Sequence, residues 1–98
     1  MRRVMHGDVV AAARALLVLP QMMREPACRR LIYEADAAHR YFKRFGHSHC
    51  LWGDGSLMSA AGQHPMRPEP GFGDQDYCQC FELVLSTLID WRLSRRRS

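Results

Sequence analysis

His47, His49 and Cys50 stand within four consecutive residues, and Cys78 and Cys80 follow later in the chain. Imidazole and thiolate are the ligands zinc prefers, so metal binding is the first chemistry this set could do. The spacing argues against it. Structural zinc sites draw two ligands from each of two turns, separated by two to four residues, and neither His-x-His-Cys nor a helical Cys-x-Cys supplies two such pairs. Cys78 and Cys80, two apart on a helix, point to nearly opposite sides and cannot bridge one another. Cys50 beside histidines, with Asp54 to orient a base, has the residue types of a nucleophilic site. No strand-turn-helix elbow accompanies them, so no catalytic residue, metal or cofactor is expected.

Gly53-Asp54-Gly55-Ser56 has the small residues of a phosphate-cradling turn at a helix start. Asp54 reverses that reading, because a carboxylate there takes the amides a phosphate needs, and no lysine follows. A helix-capping role for Asp54 is expected instead. The formal charge of +4 and the groups Arg2-Arg3, Arg29-Arg30, Arg40 to Arg44 and Arg95-Arg96-Arg97 raise nucleic acid as a partner. Acidic residues are interspersed and no recognised groove-binding or base-stacking motif stands out, so a solvated helix face explains the same composition. Pro65-Met66-Arg67-Pro68 fits the loose Pro-x-x-Pro pattern and reads as a spacer.

These residues must be positioned by helices. Asp8 is the expected N-cap of a first helix over Val9 to Leu19, stopped by Pro20, which has no amide hydrogen to offer. It is apolar almost all round, so it is either wedged between other helices or meets a partner. A second helix is expected from Pro26 to Gly46, with Cys28, Leu31, Ala35, Ala38, Phe42 and Phe45 lining one face and Ile32 and His39 beside them. Asp36 stands four residues before Arg40, the favourable order for a surface pair. Asp54 is expected to cap a short third helix from Gly55 to about Ala61. Residues 62–73, with three prolines and three glycines, read as an extended connection. Asp74 then caps a last helix from Gln75 to about Leu93. Its face Tyr77, Phe81, Val84, Leu88 and Trp91 is widened by Cys80, Leu85 and Ile89, which makes it the expected central helix.

The whole is read as all-α: a small bundle of about four helices with a Pro/Gly-rich connection before the last. Residues 1–98 form a single helical domain, with a basic tail at 94–98. The 47% apolar and 24% charged content is that of a globular chain. Met1-Arg2-Arg3 before an apolar stretch imitates a secretory signal, but Asp8 and Arg14 interrupt it and no small-residue cleavage site follows Leu19. No apolar run reaches the roughly 20 residues a bilayer requires. A cytoplasmic location without membrane contact is therefore expected, and the cysteines read as free thiols in a reducing compartment.

His49-Cys50-Leu51-Trp52-Gly53-Asp54-Gly55-Ser56-Leu57-Met58, the opening Met1 to Leu19 and Asp74-Gln75-Asp76-Tyr77-Cys78 resemble a family of short uncharacterised helical proteins from alphaproteobacteria. The family is marked by a Trp-Gly-Asp-Gly-Ser/Thr-Leu-Met segment, a start like His6-Gly7-Asp8-Val9 and a stretch like Pro68-Glu69-Pro70. The likeness covers most of the chain, though Cys50 stands where the family has proline. It implies a cytoplasmic bacterial helical protein and carries no activity.

Function is accordingly expected to be a non-enzymatic protein-interaction module that meets another chain or a second copy of itself. Trp52, Phe72 and Arg14 are the candidate surface, since loop aromatics are either core lids or interface anchors and Arg14 is the one charge on the first helix. The alternatives are a nucleic-acid-associated accessory protein that uses the basic faces and tail, and a small metal- or thiol-dependent enzyme built on the histidine and cysteine loop.

Overall fold

The computed structural model describes residues 1–97. Four helices follow in order: α1 His6–Leu17, α2 Gln21–Phe45, α3 Leu57–Ala61 and α4 Gln75–Arg97. The fold is all-α, and the sole pairing of extended backbone among the described residues is an isolated bridge between His49 and Gly53.

The central helix is α1, which packs on α4, α3 and α2, and not α4 as the apolar circumference suggests. Ala11, Ala12, Ala13, Ala15, Leu16 and Leu17 are all buried. Alanine explains the difference, because short side chains let neighbouring backbones close in from several directions without leaving voids. On α4, Tyr77, Cys80, Val84 and Leu88 are buried, while Leu85 and Ile89 face outward instead of widening the core face.

Helix α2 begins at Gln21, before the expected start at Pro26, and carries Pro26 inside it. The proline has no amide hydrogen to donate to the Met22 carbonyl, a loss that costs little at the exposed first turn of the helix. At the other end Gly46 (φ 74°) takes the left-handed position and its amide donates to the Phe42 carbonyl at 2.8 Å. Cys28, Leu31, Ile32, Ala35 and Ala38 enter the core, whereas Phe45 projects into solvent.

Two of the three expected caps sit elsewhere. Asp8 is the third residue of α1, not its N-cap: its Oδ2 accepts from the Met5 amide at 2.8 Å and its Oδ1 from the Met58 amide at 2.9 Å. One carboxylate thus satisfies the start of α1 and ties it to α3. Asp54 stands outside α3, which Ser56 caps by accepting from the Ser59 amide at 3.1 Å. Asp74 Oδ1 accepts from the Tyr77 amide at 2.9 Å at the start of α4. That helix runs on to Arg97, past the expected end near Leu93, so residues 94–97 of the expected basic tail are helix, and Ser98 lies outside the described residues.

Candidate functional site

The loop after α2 is a folded corner held by its own hydrogen bonds and ring contacts. His49 and Gly53 exchange backbone hydrogen bonds at 2.8 and 3.0 Å, which turns the chain sharply. His49 Nδ1 accepts from the Leu51 and Trp52 amides at 3.0 and 3.2 Å, so that nitrogen is committed inside the loop. Trp52 stacks on the His49 ring at 4.8 Å and meets the edge of Tyr33 on α2 at 6.4 Å. It is half-buried, closing the corner against α2. Cys50 is exposed, and no three His, Cys, Asp or Glu side chains among the described residues gather in a way that could hold a metal ion.

Asp54 accepts from the Ser56 amide at 3.0 Å and from Ser59 Oγ at 2.9 Å, and the Ser56 amide in particular holds its carboxyl below the usual range. Gly53 (φ 85°) and Gly55 (φ 98°) take left-handed backbone, and Gly55 lies so close to α2 that a Cβ there would stand 2.6 Å from His39 Cα. The Gly55 carbonyl accepts from the Arg2 amide at 2.9 Å. Leu57 is buried in the core. The segment Trp52 to Met58 therefore joins the N-terminal strand of chain, α1, α2 and α3 at one point. Arg2 lies over the Phe42 ring at 4.8 Å, bringing a cation to the same corner.

The other expected surface residues are also engaged within the fold. Arg14 Nε donates to the Arg67 carbonyl at 2.7 Å, and the Arg67 amide returns a bond to the Arg14 carbonyl at 3.3 Å. Arg14 pins the Pro/Gly-rich connection to α1 through a bond at the surface. Phe72 is 55% exposed, but its ring meets Phe81 edge-on at 5.1 Å and Tyr77 at 5.4 Å. Of the thiols, Cys28 and Cys80 are buried, and burial pushes both up from the ordinary thiol value. Cys78 Sγ donates to the Phe72 carbonyl at 3.1 Å.

What the sequence does not show is an open apolar groove of about 380 Å³ where the end of α1, the start of α2 and the connection meet. Leu16, Val18, Leu19, Met23, Pro26 and Leu31 line it. Arg30 and His64 stand at its edge around Glu34, a buried carboxylate that accepts from Arg30 Nε at 3.2 Å and lies 3.6 Å from His64 Nε2. The signal available in the sequence was apolar Val18-Leu19 and Met23 on either side of Pro20, which breaks the helical period between them.

The fold and this groove define a small all-α bundle with an apolar recess between α1, α2 and the connection. The chain belongs to the family described as Domain of unknown function (DUF7742), whose model matches residues 2–88. No curated protein and no solved structure matches it.

Proposed function

We propose that this protein is a non-enzymatic docking module that receives an apolar segment of another protein in the groove between α1 and α2. The observation that carries the reading is the recess itself, of about 380 Å³, with Met23 half out of the protein on its wall and Val18 exposed at its rim. Apolar surface held open in this way is stabilised by a partner that covers it. Arg30, whose side chain is 75% exposed and oriented by Glu34, gives the edge a cation, so the fitting segment has an acidic residue beside its apolar anchors. The non-enzymatic part rests on the committed groups: raised, buried thiols at Cys28 and Cys80, and an Asp54 spent on Ser56 and Ser59. Alphaproteobacterial origin, the Trp52 to Met58 segment as the family's mark, and a cytoplasmic location belong to the same proposal. No helix among the described residues is long and apolar enough to cross a membrane.

The test is a photo-reactive phenylalanine analogue at Met23, irradiated in the native host and read by mass spectrometry. One discrete protein adduct, lost on Leu19→Glu and weakened by Arg30→Glu, is the expected result. Adducts that are absent, or that survive Leu19→Glu with the fold intact by circular dichroism, remove the reading.

A second reading has one specific observation in its favour. Arg2, Arg40 and Arg95 converge around Phe42, Asp36 and Trp91, and Arg44 lies over the exposed ring of Phe45. Cations interleaved with rings suit a single-stranded nucleic acid. Binding of a labelled oligonucleotide that weakens steeply with salt and is lost on Lys43→Glu/Arg44→Glu supports it, and no shift at low salt ends it.

A further inference from the structure

The outward face of α4 carries an apolar stripe that the fold does not use. Leu85 is 44% exposed, Ile89 57% and Leu93 45%. At 100° per residue these three fall within one sector of the helix, together with Glu82 and Arg96, both exposed. The core face, with Tyr77, Val84 and Leu88, lies on the other side of the same helix.

The order along this stripe is symmetric. Glu82, Leu85, Ile89, Leu93 and Arg96 follow one another in steps of three, four, four and three, with Ile89 at the centre. Run antiparallel against a second copy about a two-fold axis at Ile89, the stripe meets itself: Leu85 faces Leu93 of the other copy, and Glu82 faces Arg96 of the other copy. Each acid then meets a base twice over, as an isologous contact requires. A parallel alignment sets Glu82 against Glu82 and Arg96 against Arg96, so the charges select the antiparallel one. Beside the stripe a shallow groove of about 430 Å³, bounded by Met5, His6, Phe81 and Arg92, offers room for side chains of the opposing helix. Met5 is itself 56% exposed, which extends the apolar area beyond α4.

We infer that the protein associates with a second copy of itself through antiparallel α4–α4 packing centred on Ile89, with Glu82 of each copy paired to Arg96 of the other. The contact has the 3–4 spacing by which helices pack side chains into one another's grooves. It shares no lining residue with the groove between α1 and α2, so the dimer presents two copies of that groove to partners.

Sedimentation equilibrium of the full chain over a concentration series tests this. The expected result is a reversible monomer–dimer equilibrium that Ile89→Asp converts to monomer, with the helical circular dichroism unchanged because position 89 is exposed. Glu82→Arg alone and Arg96→Glu alone should each weaken association by about tenfold, since each sets two like-charge pairs across the axis, and the double variant should recover most of the loss. A wild-type monomer throughout the series overturns the inference, as does a dimer indifferent to Ile89→Asp. Failure of the double variant to recover association overturns the antiparallel register. None of these outcomes bears on the photo-adduct at Met23, so the two readings fail separately.

Discussion

Arg24 and Asp76, 52 residues apart in the chain, meet in a bidentate pair with Nη1–Oδ1 at 2.6 Å and Nη2–Oδ2 at 3.0 Å. The same guanidinium turns its Nε to the Leu16 and Leu19 carbonyls at 3.1 and 3.0 Å. One side chain thus satisfies the C-terminal end of α1 and fixes the start of α4 against the start of α2.

Arg24→Ala should lower unfolding free energy by about 2–3 kcal/mol, because the α1 carbonyls lose a buried donor. The loss stays short of that for a fully buried pair, since Asp76 is 51% exposed and water takes over its carboxylate. Arg24→Lys should recover less than half, as an ammonium cannot serve the carbonyls and the carboxylate in one plane. Urea denaturation of the three proteins measures this, and a fully restored Arg24→Lys stability contradicts the forked arrangement.

Gly55 and Gly71 separate close packing from backbone freedom. Both take positive φ, 98° and 84°, but a Cβ at Gly55 would sit 2.6 Å from His39 Cα while at Gly71 it would meet nothing within 4 Å. Gly71→Ala should cost about 1 kcal/mol for the left-handed backbone alone. Gly55→Ala must also push the corner off α2 and should cost about 3 kcal/mol or more. Equal thermal shifts for the two variants would show that the loop does not bear on α2.

The elements were largely legible in the sequence because their ends are local chemistry. Gly46 stops α2 and Asp74 starts α4 through groups within four residues of themselves. Asp8 and Asp54 were legible as carboxylates near helix starts, but their roles depend on Met58, fifty residues from Asp8, and on the side chain of Ser59. The start of α2 was hidden because Gln21 to Glu25 are mostly exposed and give no apolar period, and Pro26 reads as a beginning. Asp36 reads as half of a surface pair with Arg40, yet it is buried, as are Arg24 and Glu34. Their partners Asp76, His64 and Arg95 come from distant segments, so tertiary pairing and not pattern decides their burial. The groove arises where three segments meet, and no one of them shows it.

Stability should fall in two stages as pH is lowered. His39 is held below the ordinary histidine value first by burial, then by the Met1 ammonium, Lys43 and Arg2, with Asp36 opposing. Its Nδ1 is buried without a hydrogen-bond partner among the described residues. Below about pH 6.5 the unfolded chain binds a proton that the folded chain refuses, so stability declines there first. For Asp36 burial pushes the carboxyl up, but the bond from the Met1 ammonium and the charges of Arg95 and Arg40 outweigh it, and the net shift is downward. Asp76 is lowered by the hydrogen bond from Arg24. The stability these carboxylates supply is complete above about pH 3.9, the unfolded value, and is lost as pH falls through their lower folded values. Urea midpoints from pH 8 to 3 should show both declines, and His39→Gln should remove only the one near neutrality. A midpoint flat from pH 7 to 5 in the wild type contradicts the burial assigned to His39.

Arg14 decides whether the one basic residue in the last turn of α1 serves a partner or the fold. Its two bonds with Arg67 are the means by which α1 holds the middle of the connection over residues 62–73, and His64 and Pro65 of that connection wall the groove. Both bonds are near the surface, so Arg14→Ala should cost only about 0.5–1 kcal/mol of global stability. The local effect should be larger. In the wild type the Arg67 amide is bonded to the Arg14 carbonyl and should exchange slowly for an irregular segment, and the substitution should release it along with the Met66 amide before it. Loss of that protection, with the exchange of α1 unchanged, is the expected hydrogen-exchange result. Arg67 exchange as fast as the unfolded rate in the wild type would mean that the connection is not pinned and that the groove lacks a fixed wall.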